Sequence, residues 1–243
     1  MIMSEQTPLL QLENIKVKKQ DQSIEIYAST LFPGLIYQIQ GPNGSGKSML
    51  LDIFAHEQKI DEGTIYFEGK SGAKKQYSGK IVKGLITYVR QDIGNEKKTP
   101  LATLLDAVKA KRLSSPLAHS RVMELLEEYA LHTVANQKMA TLSSGTRRKI
   151  ELLKVFLQDT RLVIIDEPGF DALDEHFVKK YVTMLKKSVK QDSRTLVFAS
   201  VQSLVRHHVV DITLVMHKGH IIRVEKTYQR KPAPRNRPVN KQQ

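Results

Sequence analysis

Residues Gly41, Pro42, Asn43, Gly44, Ser45, Gly46, Lys47 and Ser48 fit the pattern G-x-x-x-x-G-K-[ST]. Each residue type has a chemical reason. Glycines let the backbone wrap with its N–H groups pointing inward, which makes a nest for an anion. A helix starting at the loop adds the positive end of its dipole. Lys47 offers a point charge to the β- and γ-phosphates of a nucleotide, and the Ser48 hydroxyl can ligate Mg²⁺. All eight residues are therefore candidate nucleotide ligands. Further along, the run RLVIIDEP (Arg161–Pro168) puts an acidic pair after four apolar residues. Asp166 is expected to hold the metal through water, and Glu167 to polarise an attacking water.

Such groups work only if strands and helices bring them together. Residues 9–17 and 23–28 alternate like strands. A short apolar strand, Leu35–Ile39, runs into the glycine-rich loop, and a helix from Gly46 to Ala55 leaves it. A strand follows over Gly63–Phe67, then a Gly-, Lys- and Ser-rich stretch, 69–84, that reads as a surface loop. Leu85–Val89 is an apolar strand leading to Gln91. From Pro100 to Ala140 the pattern is helical, with Leu101, Leu104, Leu105 and Val108, then Val122, Leu125, Leu126 and Tyr129, at helical spacing. A helix (Gly145–Leu157), a strand (Leu162–Ile165), a helix (Glu175–Val189) and a strand (Thr195–Ser200) come next. Two short strands, Ile212–Met216 and Ile221–Val224, close the pattern. This order predicts an α/β fold: a mainly parallel sheet core covered on both faces, an antiparallel β edge, and a helical subdomain inserted at about 92–141. No internal repeat is seen.

Composition narrows the class. The 243 residues carry 38 basic and 25 acidic side chains, a net charge of +13. The balance favours a polyanionic partner. It is unevenly spread: residues 226–243 hold six basic and no acidic residues, and without them 32 basic face 25 acidic residues, a net +7. With Pro232, Pro234 and Pro238 and few apolar residues, 226–243 reads as a disordered, solubilising basic tail after a domain spanning 1–225. Nucleic acid is not among the expected partners. There are no cysteines, which excludes disulfides, thiolate metal sites and cysteine nucleophiles and fits a reducing compartment. No apolar run reaches the roughly 18 residues a membrane span needs. Met1–Leu10 shows no secretory leader pattern, so a cytoplasmic location is expected.

Taken in order, the motifs resemble those of the ATP-binding cassette (ABC) ATPases over about residues 9–225. Leu142-Ser143-Ser144-Gly145-Thr146 stands where that family has LSGGQ, and the spacing from it to Asp166 is gap-free. Tyr88–Gln91 resembles the Q-loop, Asp61–Ile65 the edge-strand motif, Ala172–Asp174 the D-loop, and Asp211–Ile221 the closing hairpin. The resemblance implies a P-loop NTPase of ABC type that binds ATP and Mg²⁺. It implies a head-to-tail pair with a second ABC ATPase domain, either a copy of this chain or another. Each ATP would lie between one loop and the other domain's signature, where Ser143 donates a hydrogen bond and Gly145 opens a helix end toward the γ-phosphate. Gln91 would reach the metal and the attacking water, joining Ser48 and Asp166 as metal ligands and Glu167 as a catalytic group. A membrane-embedded permease would recruit the chain to the inner face of the membrane, and the helical insertion would touch it. The expected function is thus the ATP-binding subunit of an ABC transporter. The alternatives are a soluble ABC ATPase and a slow or non-hydrolysing assembly module. Only 94 residues separate Lys47 from Thr141, too few for the long coiled coils of chromosome-type relatives.

Four departures bear on the chemistry. Val201 falls where the family has a switch histidine, and His207 and His208 read as ordinary helix or surface residues. The signature has Ser144 for a glycine and ends in Thr146 instead of glutamine. Gly169-Phe170-Asp171 makes the approach to the D-loop one residue longer. No aromatic residue stands near Lys18–Gln20 to stack on adenine; Tyr27 is open to that role or to packing. These departures fall on hydrolysis more than on binding, so turnover is expected to be slow or partner-dependent.

Overall fold

The computed structural model describes residues 7–19, 22–68, 74–76, 84–91, 96–108, 114–201 and 209–227. Its strands are β1 (Leu10–Lys19), β2 (Gln22–Leu31), β3 (Ile36–Gln40), β4 (Glu62–Glu68), β5 (Lys74–Gln76), β6 (Ile86–Val89), β7 (Leu162–Asp166), β8 (Thr195–Ser200), β9 (Ile212–His217) and β10 (His220–Lys226). The helices are α1 (Lys47–Phe54), α2 (Pro100–Val108), α3 (Ser115–Glu128), α4 (Ser144–Leu157) and α5 (Glu175–Asp192). The strands form two sheets, one in the order β2-β1-β4-β5 and one in the order β10-β9-β3-β8-β7-β6. The first is antiparallel. In the second every pairing is parallel except β10 on β9.

Period-two alternation divides the parallel sheet between two cores. Leu162, Ile164, Val197 and Ala199 face a core shared with α1, β1, β2 and β4. Val163, Ile165, Leu196 and Phe198 face a second core shared with α2 to α5. Both faces are covered, which is why β7 and β8 read as unbroken apolar runs.

The helix boundaries follow local chemistry. Pro100 opens α2, and Thr99 caps it by accepting the Ala102 N–H at 3.2 Å. The continuous helical pattern expected from 100 to 140 is divided: α3 ends where Ala130 takes a left-handed φ of +55°, and 3₁₀ turns follow at His132–Val134 and Met139–Thr141. Tyr129, at the end of α3, packs on Phe177 (5.4 Å between centroids), and Phe156 meets Tyr181 at 5.1 Å. The stretch 69–84, expected as a loop, contains β5, which pairs with Tyr66–Glu68 and covers part of the open edge of β4. The basic tail beyond Thr227 and the histidines at 207 and 208 lie outside the described residues.

The β9–β10 turn is built against the glycine-rich loop. The Gly219 N–H donates to Ser45 O at 3.0 Å, and its carbonyl accepts the Glu25 N–H at 3.1 Å. Its φ is +81°, and a Cβ there would lie 1.9 Å from Ser23 O. Gly219→Ala should therefore lower stability by about 1–3 kcal/mol and weaken nucleotide binding as well. Chemical denaturation and a fluorescent-nucleotide titration of the variant check both effects.

Candidate functional site

β3 ends at Gln40, and the chain turns through the glycine-rich loop into α1. Gly46 occupies the N-cap of α1 in a left-handed conformation (φ +98°), with no side-chain cap. The first N–H groups of α1 are thus left free of a capping side chain, which suits an anion. Lys47 is 8% exposed, and its ammonium donates to Gly41 O at 2.8 Å and Pro42 O at 3.0 Å. An ammonium has three donors, so one remains for a phosphate. Burial pulls the Lys47 pKa below its ordinary value, while the Glu167 and Asp166 carboxylates pull the other way.

An open cavity of about 200 Å³ is lined by Asn43, Gly44, Gly46, Lys47 and Ser48 of the loop and by Gln91, Asp166 and Glu167. Gln22 and Met49 complete it. Gly41, Pro42 and Ser45, expected as ligands, are not among its lining residues, and their hydrogen bonds shape the loop. The Ser45 N–H donates to Pro42 O at 3.2 Å, and the Gly41 and Pro42 carbonyls accept from Lys47. A second cavity of about 210 Å³ adjoins the first through Gln22, Gly44 and Gly46, and adds Ser23, Lys218 and Gly219.

Asp166 closes β7, and Ser48 hydrogen-bonds to its carboxylate. Burial pushes the Asp166 carboxyl above the usual range; the Ser48 bond opposes this, and the neighbouring Glu167 and Asp52 charges add to it. A buried carboxylate crowded by like charges, beside a hydroxyl and in a cavity that Gln91 also lines, offers oxygen ligands suited to a hard cation. Among the described residues no group of three or more His, Cys, Asp or Glu could hold a metal by itself.

Glu167 is held from several sides. Its backbone is left-handed (φ +45°), and its N–H donates to Ala199 O at 2.9 Å. The Ser200 hydroxyl donates to Glu167 Oε1 at 2.9 Å and the Val201 N–H to Oε2 at 3.3 Å. Ser200 escapes the sequence reading; its one signal is a hydroxyl at the end of a strand paired with the acidic one. The Val201 side chain is 43% exposed and contributes through its backbone. The Arg148 guanidinium, also unforeseen, donates to the carbonyls of Asp166, Glu167, Pro168 and Arg90.

Ser143 and Gly145 do not line the cavity. The Ser143 hydroxyl caps α4 by accepting the Thr146 N–H at 3.1 Å, and it shares a 2.9 Å hydrogen bond with the Thr146 hydroxyl. Thr146, a departure from the signature pattern, thus supports the cap. Asp174 caps α5 and pairs with Lys149; bonds from Lys149 and from the Phe177 N–H hold its carboxyl below the usual range. The extra residue before it lets Gly169 (φ +68°) turn the chain so that Phe170 is buried beside Tyr181 and Phe198. Tyr27 is 89% exposed and lines neither cavity. It is too exposed for the packing role and borders neither cavity that could take a base.

A phosphate loop at the end of parallel strand β3, facing an acidic pair at the end of β7, with β8 between the two strands, defines a P-loop nucleotide-binding protein. Residues 25–169 match the family model described as ABC transporter, and the chain belongs to that family. The chain is 25% identical over 201 residues to the arginine transport ATP-binding protein ArgV of Corynebacterium glutamicum, covering 78% of each protein. It is 28% identical over 208 residues to the sulfate/thiosulfate import ATP-binding protein CysA of Bacillus cereus, covering 83% of this chain and 57% of that one. It is 24% identical over 206 residues to a putative carbohydrate transport ATP-binding protein of Mycoplasma pneumoniae. That match covers 79% of this chain and 36% of the relative, so the chain spans well under two thirds of the length of two of these three. In fold it is similar to the dimeric ATP-binding cassette MJ0796 bound to ADP and phosphate, with a TM-score of 0.75 and 24% identity, covering 89% of this chain and 98% of that one.

Two substitutions separate the parts of the Glu167 clamp. Ser200→Ala should slow ATP hydrolysis about 10-fold or more and leave nucleotide affinity within about threefold, because Ser200 touches Glu167 and lines neither cavity. Val201→His should instead raise the rate, because it adds a hydrogen-bonding side chain at an exposed position and keeps the backbone N–H. Steady-state phosphate release beside a binding titration checks both. No gain from Val201→His in a folded, nucleotide-binding protein would mean that the histidine's role is filled elsewhere.

Proposed function

We propose that this chain is the ATP-binding and ATP-hydrolysing subunit of an ABC transporter, paired head to tail with a second ABC ATPase domain and docked on a separate membrane-embedded permease. The observation that carries this reading is the division of the motif residues. Lys47, Ser48, Gln91, Asp166 and Glu167 share one cavity, and Ser143 and Gly145 lie outside it. The site is therefore complete only when another domain presents its own signature across the phosphate loop. Among the described residues no helix is long and apolar enough to cross a membrane. The transport names of the relatives support a permease partner, with the chain peripheral on the inner face of the membrane. The transported substrate would be chosen by the permease.

The chain's own residues carry the reaction as follows. The loop N–H groups and the start of α1 bind the phosphates, and the Lys47 ammonium faces the β- and γ-phosphates. The sugar and base extend toward the second cavity, where Gln22 and Lys218 offer polar contacts in place of a stacked aromatic ring. Ser48 and Asp166 would hold Mg²⁺, with Gln91 beside them; when bound, the ion would neutralise charge between the β- and γ-phosphates. Glu167, oriented by Ser200 and the Val201 N–H, accepts the proton of the attacking water.

A nucleotide-dependent assembly module that does not hydrolyse is the second reading, favoured by Val201. The oriented Glu167 stands against it, since a carboxylate facing the phosphates opposes binding unless it serves the water.

Glu167→Gln should bind ATP, hydrolyse it at least about 10²-fold more slowly, and accumulate as an ATP-bound dimer. Size-exclusion chromatography with light scattering in Mg-ATP reads the dimer. Lys47→Ala in the same assay should stay monomeric. A Glu167→Gln protein that remains monomeric at saturating ATP and hydrolyses like the parent would remove both the base and the pairing.

A further inference from the structure

Arg148 lies one turn inside α4, four residues past Ser144, and is 8% exposed. Its Nη2 donates to Asp166 O at 2.7 Å and to Glu167 O at 2.6 Å; Nε reaches Pro168 O at 3.3 Å and Nη1 reaches Arg90 O at 2.6 Å. One planar fork thus grips the backbone of the acidic pair and of Pro168 after it, and the backbone just before Gln91. The Arg90 side chain is anchored in turn, at 3.2 Å from Asp52 of α1 and in an ion pair with Glu57. The Tyr88 hydroxyl donates to the same Asp52 at 3.1 Å. The strand leading to Gln91 is therefore tied to the phosphate-loop helix on one side and to α4 on the other.

The residue at the centre of the grip is under backbone strain. Glu167 has φ +45°, and a non-glycine residue stays in that region only where its surroundings over-determine it. Arg148 fixes the carbonyl of Glu167, and Ser200 and the Val201 N–H fix its carboxylate. The Glu167 N–H is held as well, by Ala199 O at 2.9 Å, so Arg148 supplies the restraint on the carbonyl side of the residue.

We propose that Arg148 is a positioning residue for ATP hydrolysis. It holds the acidic pair and the approach to Gln91 in fixed register, and carries both on the helix that opens with Ser143–Thr146. Contact made at that helix end by a second domain's nucleotide and the geometry of Glu167 in this chain then share one rigid element. The assignment rests on the ATPase reading above. Lysine keeps the charge but lacks the fork, so it cannot span four carbonyls.

Arg148→Lys and Arg148→Gln test it in the full chain, by phosphate release, fluorescent-ATP titration and thermal melting. Arg148→Ala with added guanidinium provides the rescue. The expected result for the folded variants is a kcat lower by about 10- to 100-fold, with nucleotide affinity within about threefold and partial recovery of the alanine variant by guanidinium. A lysine variant that turns over like the parent overturns the proposal. So does loss of fold in both the lysine and the glutamine variants, which assigns the arginine to stability alone. A parent protein that binds no ATP fails differently, since that result removes the ATPase reading itself.

Discussion

Arg194, buried between α5 and β8, donates to the carbonyls of Val155 at 3.1 Å and Thr160 at 2.9 Å, at the end of the sheet away from the phosphate cavity. Other polar pins lie at that end. Thr87 and Thr160 share a 2.6 Å hydrogen bond, the Thr195 N–H donates to Arg161 O, and the Ile36 N–H donates to the Asp211 carboxylate at 2.9 Å. These bonds matter because β7 and β8 are apolar on both faces. A one-residue slip in a half-exposed strand would expose a whole apolar face. Here it would trade one apolar face for another, so burial alone specifies register weakly. Leaving one buried polar group unpaired costs about 1–3 kcal/mol, and several such groups make the native register decisive. The strands are only five or six residues long, so the far end inherits that register. Asp166 then stands opposite Ala199, and Ser200 opposite Gln40, where the phosphate loop begins.

At the cavity end the balance of magnitudes is similar. A left-handed Glu167 costs on the order of 1–3 kcal/mol, and a hydrogen bond to a charged group returns about 1.5–3 kcal/mol. The Arg148 bond to the Glu167 carbonyl and the Ser200 bond to its carboxylate are both of that kind. Against them stands the desolvation of a buried guanidinium, several kcal/mol by itself. Burial lowers the Arg148 pKa from its ordinary value, and the nearby Glu151, Asp166 and Glu167 charges work against that. The four carbonyl acceptors make the buried charge tolerable, and those carbonyls belong to the backbone that the site needs fixed.

Motif residues were legible in the sequence because their chemistry is local. The phosphate loop, the acidic pair and the order of strands and helices needed only adjacent residues and periodicity. What escaped acts across long separations through groups that every residue possesses. Arg148 meets Arg90 O from 58 positions away, and Ser200 meets Glu167 from 33. A carbonyl carries no residue identity, so its partner leaves no pattern to read. The motif likewise does not tell which of its residues border the cavity: Gly41, Pro42 and Ser45 make hydrogen bonds that shape the loop around Lys47. Ala130 ended a helix that spacing alone would have continued, because periodicity reports which face is apolar and not where a backbone turns left-handed.

The departures from the family pattern can be ranked by what the backbone retains. Thr146 replaces glutamine, yet the α4 cap persists because Ser143 accepts from a backbone N–H. The longer approach to Asp174 is absorbed by a left-handed Gly169, and its extra length buries Phe170. At Val201 the backbone N–H still reaches Glu167, so its carboxylate is oriented without a histidine side chain. A second polar side chain able to reach the phosphate is what a valine cannot supply. Orientation of the Glu167 carboxylate thus does not depend on the side chain at position 201. A site that had given up hydrolysis would have no physical reason to keep a strained Glu167 clamped at both its carbonyl and its carboxylate. The clamp is what the proposed hydrolysis would require of Glu167.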